Sequence, residues 1–94
     1  MKVEEAFKHL RNAAWRISEA IDEVGDVFVQ MEEGEAKELA GKLHALLYLI
    51  REGVVHLALH IKYLGDPFFL LSARHDMRAI INAVDKWRES VEEV

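Results

Sequence analysis

Apolar residues recur along the first third of this chain in alternating steps of four and three: Val3, Phe7, Leu10, Ala14, Ile17, Ile21, Val24, Phe28 and Met31. That period belongs to a helix burying one seam in coiled-coil fashion; a strand repeats every second residue and does not satisfy it. The stripe passes Gly25 without losing phase, which predicts one helix over about residues 2–32. A second stripe, Leu39, Leu43, Leu46, Ile50, Val54, Leu57, Ile61 and Leu64, predicts a helix over about 35–64. A third, Leu70, Ala73, Met77, Ile80, Val84, Trp87, Val91 and Val94, predicts one over about 67–93.

The stripes are separated by residues that end and start helices. Glu33-Gly34-Glu35 is the first break, with Gly34 suited to a left-handed C-cap. At the second, Gly65 ends a helix, Asp66 caps the next and Pro67 fits its first turn. Three long helices joined by two tight turns make an all-α, antiparallel up-down-up bundle, a single domain over 1–94. A rival parsing breaks the chain at Gly25-Asp26 and Glu52-Gly53 into four helices. It runs the polar segment Glu32–Lys37 through the middle of a helix that has no apolar stripe there.

Composition narrows the partners. The net charge is −5 and no basic stripe is visible, so nucleic acid is not an expected partner. There is no cysteine, which excludes disulfides, thiolate metal sites and cysteine nucleophiles. The most apolar stretch, Leu43–Leu64, carries His44, Arg51, Glu52, His56, His60 and Lys62, too many ionisable groups for a bilayer span. The N-terminus reads as amphipathic helix rather than signal peptide, so a cytoplasmic location is expected, or none in particular for a designed chain.

Histidines supply the candidate chemistry. His56 and His60 stand one turn apart on one face of the second helix. With the helices laid antiparallel across Gly34, His9 falls level with them on a same-signed flank, so three imidazoles are expected to converge. That flank of the first helix, Ala6, Ala13, Ala20 and Val27, is expected to face the third. Three neutral imidazoles with an open position suit zinc, copper, nickel or haem iron. The expected site is therefore a metal ion, zinc or similar, or haem, on His9, His56 and His60, with Ala13, Gly53 and Ala73 as small-residue walls. Asp76 is the acid placed to orient a ring. The alternative is that the same histidines sit at the bundle boundary and bond to water or carboxylates. His44 lies across the stripe, near Lys37 and Arg51, and is expected to be exposed. Catalysis by a bound metal would be Lewis-acid chemistry or activation of water.

Residues 75–84, His75-Asp76-Met77-Arg78-Ala79-Ile80-Ile81-Asn82-Ala83-Val84, resemble the phosphoacceptor box of sensor histidine kinases. The resemblance implies a phosphoryl group on His75 and Asp76 as its base. It departs from that family at Ile80, where the family has proline, and no ATP-binding domain is in the chain. Equal helix lengths and minimal turns also resemble a designed helical bundle, against which stand the internal glycines and an exposed Trp15. Tyr48, Val55, Leu59 and Tyr63 form a second apolar stripe on the second helix. A homodimer is expected through that patch. The other expected partner is a metal or small-molecule ligand, with no nucleic acid and no membrane.

Overall fold

A computed structural model describes residues 1–93 as three α-helices: α1, Val3–Gln30; α2, Glu35–Lys62; and α3, Pro67–Glu93. The all-α antiparallel bundle of three long helices is thus the architecture, and Gly25 and Gly53 lie inside helices. Val94, the last member of the expected third stripe, lies outside the described residues. Among the described residues no helix is long and apolar enough to cross a membrane.

The turns follow their residues closely. After Gly65, whose φ of 100° favours glycine, the Asp66 side chain accepts the Phe68 N–H at 3.0 Å. Asp66 is therefore the N-cap of α3 and Pro67 its first residue, as the sequence predicts. Gly34 differs from expectation. It is not a left-handed cap on α1, which ends instead at an extended Met31. Gly34 starts α2 at φ 154° and ψ −177°, a region essentially closed to residues with a Cβ.

Packing is organised around α2. Glycines cut notches on two of its sides. A methyl group at Gly41 would lie 2.9 Å from Phe28 Cε2 on α1, and one at Gly53 would lie 2.8 Å from Ile80 Cδ1 on α3. Each glycine thus receives a neighbour's side chain as a knob. The α1 contact continues through His44 over Gly25, the Arg51 guanidinium donating to Ser18 Oγ, and Val55 and Leu59 against Phe7 and Leu10. The α3 contact continues through Leu46 and Leu49 beside Ala83 and Trp87, whose indole N–H donates to the Leu39 carbonyl at 3.3 Å.

These two sets of positions stand roughly 150° apart around α2 at about 100° per residue. In keeping with that spacing, no Cα of α1 comes within 8 Å of a Cα of α3. The flank Ala6, Ala13, Ala20 and Val27 therefore does not meet α3 as expected. Three helices lie side by side, with α2 in the middle, and the bundle is open along one edge of its section.

Candidate functional site

An open section leaves two broad faces, and they differ in chemistry. On one, α2 presents Leu43, Leu47, Ile50, Val54, Leu57 and Ile61 between the two outer helices. None of these six is buried, and Leu57 is 36% exposed. From α1 the same face takes Ala13, Ile17, Ala20, Val24 and Val27, and from α3 Leu70, Met77, Ile81 and Val84. Val27, Met77 and Ile81 keep 50%, 49% and 55% of their surface exposed. Only three apolar side chains, Ile21, Leu46 and Ala58, are buried among the described residues. Apart from Leu46, most of the α2 seam that the sequence marks as core is therefore only partly covered and runs along this apolar face. Its exposure was not legible beforehand, because α2 is apolar around most of its circumference. The patch expected to self-associate is on another side of α2: Val55 and Leu59 line a gap with Phe7, Leu10 and Ala14 of α1, while Tyr48, Val55 and Tyr63 keep 43%, 36% and 47% of their surface exposed.

The opposite face carries the polar groups. Trp15 stands there on α1, 71% exposed, with Arg11 and Asp22 about it, and α2 contributes Glu52 and His56. His56 turns toward α3, where its Nδ1 hydrogen-bonds Asp76 Oδ2, and its Nε2 lies 3.9 Å from Glu52 Oε2. Asp76 is buried, the one charged side chain so placed among the described residues. The acid singled out as a ring orienter does hold a histidine. His60, one turn on, has its Nδ1 buried without a hydrogen-bond partner.

His9 is exposed on α1. Because α1 and α3 take opposite sides of α2, His56 and His60 turn toward α3 and the three imidazoles do not converge. Among the described residues no three His, Cys, Asp or Glu side chains form a group able to hold a metal ion. The expected walls separate likewise. Gly53 is filled by Ile80, while Ala13 and Ala73 belong to the two helices that do not meet. His75 is exposed, but the Asp76 carboxylate beside it in sequence is engaged by His56. His44 is half-buried over Gly25, edge-on to Tyr48, rather than exposed.

No family model, curated protein or solved structure matches this chain.

Proposed function

We propose that this chain is a self-associating interaction module, whose open apolar face docks on the same face of a second copy to form a two-layer, six-helix dimer. The observation that carries this reading is the partly covered α2 seam, Leu43 to Ile61, lying between two outer helices that do not close over it. Contiguous apolar surface of that extent is unusual on a monomer and marks an interaction site.

Size and charge favour a second copy as the occupant. The chain measures 47 × 23 × 19 Å, so one long side offers on the order of 1,000 Å², against about 800 Å² per partner in a standard interface. A single helix from another protein, about 10 Å across, covers one groove and leaves half of the face wet. A second three-helix layer covers all of it. Along α2 the face carries no charged side chain, and on α3 the exposed Arg74 falls on the stripe between Leu70 and Met77. Two copies with a net charge of −5 each can meet along α2 without opposing like charges.

Sedimentation equilibrium tests the reading. The parent should run at twice its 10.8 kDa, and Ile81→Glu should run as a folded monomer with unchanged helicity. Trp15→Glu, on the opposite face, should remain a dimer. A parent that stays monomeric at high concentration overturns the proposal.

A second reading keeps a zinc or haem site at His56 and His60, favoured by the unpartnered, buried His60 Nδ1. Added zinc or haem should then raise the melting temperature of the parent but not of the His56→Ala/His60→Ala variant. An equal response in both discards it.

A further inference from the structure

The polar side of the layer holds a groove of about 560 Å³ between α2 and α3, within the size range of small-molecule sites. Its floor is apolar: Leu46 and Leu49 from α2, Ala83 and Trp87 from α3. Its rim carries two ammonium groups, Lys42 and Lys86, together with Ser90 and Glu89. In a chain of net charge −5, a lining with two lysines against one glutamate is a local reversal of sign.

The polar groups of this groove are already ordered. Lys42 Nζ donates to Ser90 Oγ at 3.2 Å, and Ser90 Oγ donates to the Lys86 carbonyl at 3.1 Å. One chain of hydrogen bonds thus ties Lys42 across the helix interface, one turn from where Lys86 leaves α3. Trp87 spends its N–H on the Leu39 carbonyl, so what it offers the groove is its apolar ring. Among the side chains of residues 1–92 neither ammonium has a carboxylate oxygen within 4.0 Å. An ammonium beside Ser90 retains N–H donors for a second acceptor.

We infer that this groove binds an amphipathic carboxylate, with the head group between Lys42 and Lys86 and an aliphatic or aryl tail laid along Leu46, Leu49 and Trp87. A purely apolar guest leaves two ammonium groups over its end, and a small hydrophilic anion leaves the floor wet. A molecule with one anionic end and one apolar body satisfies both. The site opens on the side away from the apolar face, so dimerisation through that face leaves it accessible, and the two proposals stand independently.

The chain has two tryptophans, so Trp15→Phe leaves Trp87 as a fluorescence reporter inside the site. Titrating that protein with decanoate below its micelle concentration should give a saturable change in emission. Decanol should bind at least tenfold more weakly, and so should decanoate to a Lys42→Met/Lys86→Met version, which keeps the aliphatic stems. Affinity should fall as salt is raised, because the contacts are ionic and near the surface. Adding Ile81→Glu should leave the titration unchanged. Equal binding of decanol and decanoate, or an undiminished response in the double lysine variant, would overturn the assignment.

Discussion

Replacing His56 with alanine removes the hydrogen-bond partner of a carboxylate that the fold has largely withdrawn from water. The Asp76 side chain is 11% exposed, while that of His56 is 25% exposed. Breaking one side of a buried pair costs about 3–5 kcal/mol, because the surviving charge keeps its desolvation penalty and loses its compensation. The partial exposure of His56 lets water into the space it vacates, which places this case near the lower end, about 3 kcal/mol. For a domain of this size that corresponds to a fall in melting temperature of roughly 12–20 °C. Asp76→Asn removes the charge and keeps an acceptor oxygen for the ring, so its cost should be about 1 kcal/mol. Replacing both residues by leucine removes the charge and the need for a partner together, and should be close to neutral. Urea unfolding followed by far-UV circular dichroism, at one protein concentration, reads all three as midpoint shifts at constant slope. A His56→Ala protein within about 0.5 kcal/mol of the parent, the level expected of an ordinary surface change, would refute the buried-pair argument. So would a double leucine variant as unstable as His56→Ala.

Gly41→Ala should destabilise by about 1 kcal/mol, since overpacking against the rigid Phe28 ring outweighs the gain in helix propensity. Gly53→Ala should be close to neutral, because the colliding atom is the mobile end of Ile80, and a larger loss at Gly53 than at Gly41 in thermal melts would contradict this. Asp66→Ala removes the bond to the Phe68 N–H and should cost about 1 kcal/mol in the same melts. An unchanged midpoint there would mean that the cap does not hold α3.

Helix positions were legible because the stripes, the Gly65-Asp66-Pro67 cap and the break at Gly34 all act within a few residues of themselves. The side of each helix that meets another was not. α2 bears apolar residues toward α1 at Val55 and Leu59, toward α3 at Leu46 and Leu49, and on the open face at Leu43, Leu47 and Ile50. Periodicity does not rank those faces. What ranks them is steric: Gly41 and Gly53 are the places where a knob can enter, and they lie about 120° apart around α2. That spacing separates α1 from α3. It also undoes the expected meeting of His9 with His56 and His60, which placed the third helix against the Ala6, Ala13, Ala20 and Val27 flank of α1. Asp76 was readable as a histidine's partner because it is an acid on the α2-facing side of α3, although the particular ring was not.

The side-by-side order of the helices also bears on how the molecule forms and comes apart. Each tertiary contact between helices joins neighbours in the chain, α1 with α2 or α2 with α3, across a connection of four residues. Loop closure is therefore inexpensive, and rapid folding is expected. Neither outer helix needs the other in order to dock, so each can peel away by itself while the remaining pair stays zipped. Amide hydrogen exchange should record this as a gradient of opening free energies, lowest in α1 and α3 and highest in α2, whose amides open only when both flanks have let go.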